Sequence, residues 1–342
     1  MYNQPTALRS VLAPEYLEHC LSRLYDIGPW KQCLFWLRGL NDTYRIETPD
    51  GFYILRVYRS EVSESDVNFE VSLLTELRRM MDATTHVSEP IPKNDSTLYT
   101  VLNAPEGERI AVIFRYLKGI EHPLDDEASC YAFGRSAAAL HAAMDLVTIA
   151  QPRFALDTDF LIQQPLKRIC EYIGLEHQAV PFLREFAVSL QKRIEIAAAS
   201  GLDWGLCHGD MHGNNNAFLE GEQFTHYDFE WAAKGWRAYD LAQVKARKRQ
   251  SREKQDALWN SLMRGYRSVR HFSDEDEQAI ELFIMARRFW VMGLDVAFIH
   301  QDTGALDYGE AWLNGFLEEF RHADHRQNIR QQMMNAYIVL KE

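Results

Sequence analysis

The residues best equipped for chemistry in this chain stand in one stretch. Cys207-His208-Gly209-Asp210-Met211-His212-Gly213-Asn214-Asn215 is followed, after two short apolar runs, by His226-Tyr227-Asp228-Phe229-Glu230. It offers an acid, an amide and a second acid, all of them oxygen donors. The runs Ala217-Phe218-Leu219 and Phe224-Thr225-His226-Tyr227 flank Glu220-Gly221-Glu222-Gln223. Gly221-Glu222 has the form of a two-residue hairpin turn with glycine in the first central place, where positive φ is needed. That turn sets a register in which residue 218 faces 225, 216 faces 227 and Asn215 faces Asp228. The open end of the hairpin then carries an amide oxygen beside a carboxylate, with Asp210 just upstream. Mg²⁺ accepts such donors, usually one or two from the protein and the rest from phosphates and water. A lone acid on a loop is ordinarily solvated, whereas three acceptors gathered by one hairpin make a candidate metal site.

The pattern His208-Gly209-Asp210-x-His212-x-x-Asn215 resembles the catalytic loop of the aminoglycoside phosphotransferase and choline kinase superfamily. That loop is the counterpart of the protein-kinase H-R-D-x-x-x-x-N loop, and Asp228-Phe229-Glu230 stands where those kinases carry D-F-G. Within the superfamily the chain looks most like the homoserine kinase type II and stress-response Ser/Thr kinase branch, from about Trp36 to about Phe320. The resemblance implies an α+β, bilobal, protein-kinase-like fold. Residues 1–115 would form a nucleotide-covering N-lobe, a small antiparallel sheet with one helix. Residues 116–342 would form a larger, mainly helical C-lobe with the catalytic loop and acceptor pocket. It also implies ATP and Mg²⁺. Asp210 would orient the acceptor hydroxyl and receive its proton, while Asn215 and Asp228 would hold Mg²⁺ against the phosphates. His208 and His212 would fix the loop. Asp240, in a stretch resembling the family's Y-D-L-A, would cap a helix and tie the loop down.

These groups need elements to position them. Leu34-Phe35-Trp36-Leu37, the tight loop Arg38-Gly39-Leu40-Asn41-Asp42-Thr43 and Tyr44-Arg45-Ile46 read as strand, loop, strand. Gly39 permits close approach of a phosphate to backbone N–H groups, and Asn41 and Thr43 can add side-chain hydrogen bonds. The plainer reading of this loop is an ordinary β-turn. Asp50-Gly51 is a hairpin turn, and residues 52–58 form the next strand. Arg56 interrupts that apolar strand where the family usually places the phosphate-holding lysine; arginine is always charged and binds phosphate bidentately. Val67, Val71, Leu74, Leu77 and Met81 follow a helical stripe over residues 63–81, with Ser63 and Asp66 in a capping arrangement. Glu70 lies at the border of that stripe, where a carboxylate needs a partner; Arg56 is the natural one. Strands at 98–102 and 110–114 lead to Arg115-Tyr116-Leu117. By resemblance, backbone groups of Arg115 and Leu117 would meet adenine. Beyond residue 124 the pattern is helical, with the catalytic hairpin as the only strand-like region.

Composition narrows the rest. The net charge is −12, a poor expectation for a nucleic-acid binder. No apolar run approaches the ~20 residues of a membrane span. The five cysteines form no C-x-x-C pair, which argues against a disulfide framework or zinc site and fits a cytoplasmic protein. The sequence gives no oligomeric state. Acidity, with Glu230 beside Trp231, suits a small acceptor bearing an amino group, since an acid next to an aromatic face can hold a cation. The alternative for that pair is a loop residue and a packed tryptophan. Gly209-Asp210-Met211-His212-Gly213 also matches the G-D-x-H-G of binuclear metallophosphatases, but no G-D-x-x-D or G-N-H-E stretch follows. A pseudokinase module, supported only by Arg56, and a Ser/Thr protein kinase of the stress-response type stay open. The lack of a clear A-P-E element favours a small acceptor.

Overall fold

The structure is a computed structural model that describes residues 7–81, 85–219, 223–246, 251–299 and 308–339. In chain order its elements are α1 (Pro14–Leu21), β1 (Gln32–Arg38), β2 (Asp42–Thr48), β3 (Gly51–Val57), α2 (Glu64–Met80), β4 (Thr85–Val87), β5 (Thr100–Ala104), β6 (Gly107–Arg115) and α3 (Glu127–Leu146). There follow β7 (Ala155–Leu156), α4 (Gln164–Ile173), α5 (Val180–Ala199), β8 (Trp204–Cys207), β9 (Asn216–Leu219), β10 (Gln223–His226), β11 (Ala233–Trp236), α6 (Arg237–Lys245), α7 (Arg252–Arg267), α8 (Asp274–Phe298) and α9 (Glu310–Val339). The chain divides into two compact units. One comprises Met1–Phe154, Gly205–Lys234 and Arg247–Phe272; the other comprises Ala155–Trp204, Gly235–Ala246 and Ser273–Glu342.

The first unit is built on an antiparallel five-stranded sheet in the order β1-β2-β3-β6-β5. Strict alternation in β2 sends Tyr44 and Ile46 to one face, where they join Leu55, Val57 and Ile113 and the α1 residues Leu17 and Leu21 in a buried core. The opposite face carries Thr43, Arg56 and Val112 in register across three strands. Period-two geometry thus commits one face to packing and frees the other for chemistry.

Helix α2 follows its sequence signals. Ser63 Oγ accepts from the Asp66 backbone N–H at 3.2 Å, and the Asp66 carboxylate accepts from the Ser63 N–H at 3.3 Å, a complete capping box. Its stripe Val67, Val71, Leu74 and Leu77 is buried. Helix α3 is capped by Asp126, which accepts from the Ser129 N–H at 2.8 Å. It packs on α7 through glycines: a Cβ on Gly134 would run into the Leu262 carbonyl, and one on Gly265 into the Tyr131 carbonyl.

Three expectations are corrected. The strand expected at 98–102 lies at Thr100–Ala104, since its hairpin with β6 turns at residues 105–106. The β9–β10 hairpin pairs Phe218 with Phe224 and Asn216 with His226, one residue away from the expected register. The residues between β9 and β10 are 220–222, so the proposed Gly221-Glu222 turn lies outside the described residues. The hairpin is also not the only strand pairing after residue 124. β10 takes β4 as a parallel neighbour, and β7, β8 and β11 are further strands. The added strands have four residues or fewer, too short for alternation to reveal.

The second unit is mainly helical. α8 packs against α4, α5 and α6. All five cysteines are free thiols. Among the described residues no helix is long and apolar enough to cross a membrane.

Candidate active site

Strand β8 delivers the chain into the loop that carries Asp210. The buried His208 fixes that loop at both ring nitrogens: Nδ1 accepts from the Asp210 backbone N–H at 3.2 Å, and Nε2 lies 3.0 Å from the Tyr227 carbonyl. Donation to that carbonyl sets the tautomer, because a nitrogen that accepts from an amide carries no proton. His208 also packs on Phe229, with ring centroids 4.3 Å apart. Gly209 has φ +81, and a Cβ there would run into the Trp231 carbonyl, so glycine is required on both counts. His212 Nδ1 accepts from the Asn214 N–H at 3.3 Å, and its Nε2 stands 3.6 Å from Asp210 Oδ2.

Asn215 Nδ2 donates to the Asp210 carbonyl at 2.9 Å and to Asp210 Oδ2 at 3.0 Å. The Asn215 carbonyl accepts from the Tyr227 N–H at 3.1 Å, so Tyr227 faces Asn215, with Asp228 the next residue on. Asp228 has φ 67, a left-handed backbone for a residue other than glycine. Aspartate tolerates this region better than most residues, and such conformations concentrate at functional sites.

Arg56 joins this site. Its Nη1 lies 2.9 Å from Asp228 Oδ1 and 3.5 Å from Glu70 Oε1. Glu70 is 1% exposed, and the Tyr58 hydroxyl donates to its other oxygen at 2.8 Å. Burial pushes the Glu70 carboxyl up to about 7, against the opposing pull of Arg56. The Arg56–Glu70 pair expected from sequence is therefore assembled, with Asp228 as the nearer partner of the cation. Asn215 and Asp228 offer hard oxygens, and the Asn215 amide oxygen has no hydrogen-bond partner among the described residues. This donor set fits a hard divalent cation.

The β1–β2 loop is held by its own hydrogen bonds. The Gly39 N–H donates to the Asn41 carbonyl at 3.0 Å, and a Cβ on Gly39 would meet nothing within 4 Å. Thr43 is half-buried opposite Arg56. The Asn41 side chain is engaged within the fold. It is 7% exposed, donates to Glu230 Oε2 at 2.5 Å, and accepts from the Arg59 backbone N–H at 3.0 Å. The Glu230 carboxylate is 6% exposed and engaged by Asn41 and by the Arg59 guanidinium, in keeping with the loop-residue alternative. Trp231 has Arg59 over its ring at 5.6 Å and Phe154 beside it at 6.2 Å, so its aromatic face meets a cation of the fold.

The remaining sequence-derived residues are placed as follows. The Arg115 N–H donates to the Glu89 carbonyl at 2.9 Å and its side chain pairs with Glu89 at 2.7 Å, so its amide is committed to the fold. Leu117 follows β6 and is half-buried. Asp240 is fully buried in the first turn of α6, whose cap position is Trp236.

Three residues escaped sequence reasoning. Arg59 and Arg153 bind the segment after Asp228, and Arg109, fully buried, pairs with the equally buried Asp42 at 2.8 Å beneath the β1–β2 loop. Their partners are remote in sequence. The one local signal was a charge, Arg109, inside an apolar strand.

Residues 36–272 match the phosphotransferase enzyme family APH. The chain belongs to that family. A relative from Deinococcus radiodurans, an uncharacterized protein, is 37% identical over 84% of this chain and 83% of its own length. The homoserine kinase of Rhodopseudomonas palustris is 28% identical over 69% of each chain. Among solved structures, an amicoumacin kinase in complex with AMP-PNP, Ca²⁺ and Ami superposes with a TM-score of 0.71 at 16% identity, covering 92% of this chain and 94% of that one. The fold is thus the α+β, protein-kinase-like fold of this phosphotransferase family, and the chain is a phosphotransferase acting on an alcohol group.

Proposed function

We propose that this phosphotransferase moves the γ-phosphate of ATP to a hydroxyl of a small, amino-bearing molecule in the cytoplasm, with residues 1–115 as the nucleotide-covering lobe and 116–342 as the acceptor lobe. The observation that carries the reading is the joining of Asp210 to Asn215 and of Arg56 to both Asp228 and Glu70 in one unit. Such a site asks little covalent chemistry of the protein and much positioning of charge. Asp210 orients the acceptor hydroxyl and takes its proton as the oxygen attacks. Asn215 holds the Asp210 carboxylate in place for that step. Arg56 turns its guanidinium to the phosphate oxygens while Glu70 anchors it from behind. Asn215 and Asp228 would hold Mg²⁺, which when bound neutralises charge on the β- and γ-phosphates.

The amino group of the acceptor is supported by the chain's net charge of −12 and by its homoserine kinase relative, whose named substrate bears both amino and hydroxyl groups. A panel assay of ADP release tests the reading, with homoserine, choline, sugars, aminoglycosides and a protein acceptor. Turnover of an amino alcohol or aminoglycoside is expected. Phosphorylation of a protein Ser or Thr alone would replace this reading with the stress-response kinase one. Asn215→Ala and Asp228→Ala should each raise the Mg²⁺ concentration required, Asn215→Ala less, because an amide contributes no net charge.

A further inference from the structure

We infer that Arg153 and Glu230 form a buried strap that holds helix α2 and the β1–β2 loop in working position against the segment carrying Asp228. The inference rests on the phosphotransfer reading and assigns both as positioning residues.

The Arg153 side chain is 6% exposed and serves two elements at once. Nη1 donates to Asp66 Oδ1 at 2.6 Å in the first turn of α2. Nε donates to the Ala232 carbonyl at 3.0 Å, and Nη2 donates to the Glu230 carbonyl. The guanidinium stacks 5.0 Å from the Phe69 ring, also on α2, and 4.2 Å from Phe154. Asp66 is doubly engaged: one oxygen closes the capping box and the other meets Arg153. The Glu230 side chain continues the strap. It takes Asn41 from the β1–β2 loop and Arg59 from beyond β3, and both are buried.

Each end of this chain of bonds leads to a group that faces the nucleotide. Asp66 lies one helical turn before Glu70, which meets Arg56. Asn41 lies two residues beyond Gly39. Glu230 lies two residues beyond Asp228. A charge-assisted network with fixed donor geometry constrains its elements more tightly than apolar contact does; the Asp66 side chain at one end is 40% exposed, but losing the bonds at Ala232, Glu230 or Asn41 leaves buried polar groups unmet. The planar fork of arginine matters here, since a lysine ammonium cannot reach acceptors on both elements with the same alignment. The strap touches no reacting atom. It acts by keeping Glu70, and through it Arg56, aligned with Asp228.

The test measures Mg-ATP binding by calorimetry, together with hydrogen exchange, for wild type, Arg153→Ala, Arg153→Lys and Glu230→Gln, all well below their melting temperatures. Arg153→Ala should weaken Mg-ATP on the order of tenfold to a hundredfold, the scale of a small misplacement of binding groups. Arg153→Lys should fall between it and wild type. Exchange should quicken at residues 39–43 and 64–70. In an Arg56→Ala background the added loss from Arg153→Ala should shrink, because the strap works through Arg56; simple additivity would mark a merely structural residue. Should Arg153→Ala fail to fold, Arg153→Lys and Glu230→Gln carry the same comparison. Folded variants that bind Mg-ATP and exchange as wild type does would overturn the strap alone. A wild-type protein that fails to bind Mg-ATP is a separate result and would overturn the phosphotransfer reading beneath it.

Discussion

Removing the Arg56 cation separates a cost to the fold from a cost to the proposed nucleotide site. In Arg56→Ala, Glu70, 1% exposed in the intact protein, loses the cation 3.5 Å away. Breaking a fully buried ion pair typically costs 3–5 kcal/mol. Glu70 has an escape, because burial already raises its carboxyl to about 7 and without Arg56 it takes up a proton. The cost to the nucleotide-free protein should therefore be about 1–3 kcal/mol, that of an imperfectly met buried polar group. Asp228 also loses its 2.9 Å partner, but its side chain is 32% exposed and water compensates. Binding of Mg-ATP loses charge-assisted hydrogen bonds worth about 1.5–3 kcal/mol, roughly a ten- to hundredfold rise in Kd. Arg56→Lys keeps the charge and should retain nucleotide use. Adding Glu70→Gln to Arg56→Ala should restore the melting temperature without restoring Mg-ATP affinity. Calorimetric titration with thermal melts makes the measurement. Arg56→Ala protein that binds Mg-ATP as tightly as wild type would refute the reasoning, as would full recovery of affinity in the double variant.

Other outcomes follow from the same geometry. The Glu70 carboxyl is raised from 4.5 to about 7 in the folded state, so between those values the folded protein binds more protons than the unfolded chain. Stability of the nucleotide-free protein should then fall as pH rises from about 4.5 to about 7, by on the order of 3 kcal/mol, and Glu70→Gln should flatten that slope in urea unfolding curves. Gly39→Ala should leave the melting temperature unchanged or slightly higher, since its Cβ meets nothing within 4 Å, yet weaken Mg-ATP where phosphates approach the loop. Gly134→Ala should do the reverse: it forces α3 from α7 at the Leu262 carbonyl, lowering stability by about 1–3 kcal/mol or more, as thermal melts would record.

Much of the site was legible because its signals are local. Asp210 and Asn215 are five residues apart on one loop and bond directly. The α2 stripe and its Ser63–Asp66 cap lie within one helix, so its start and buried face could be read from spacing. The catalytic hairpin was recognised but misregistered. Gly221-Glu222 resembled a two-residue turn, whereas the described pairing leaves residues 220–222 between the strands, and one residue of slip exchanges facing partners. Glu230 stayed open between an acceptor contact and a loop residue for a different reason. Its partners Asn41 and Arg59 lie 189 and 171 positions away, and nothing in a local window shows that a carboxylate is committed to them. The same distance hid Arg153, whose partner Asp66 is 87 residues upstream. Buried ion pairs between remote segments are products of tertiary packing, and sequence spacing carries no trace of them.

We assign Asp210 to the acceptor, and Arg56, Asn215 and Asp228 to the nucleotide and its metal. Asp210→Asn tests this assignment most directly. The substituted amide oxygen can still accept from Asn215, so the loop should hold, but it cannot take the proton of the attacking hydroxyl. With the acceptor identified from the panel, transfer should fall by about 10²–10⁴-fold or more, while Kd for Mg-ATP stays at the wild-type value. Turnover at the wild-type rate, or a parallel loss of Mg-ATP binding, would contradict the assignment.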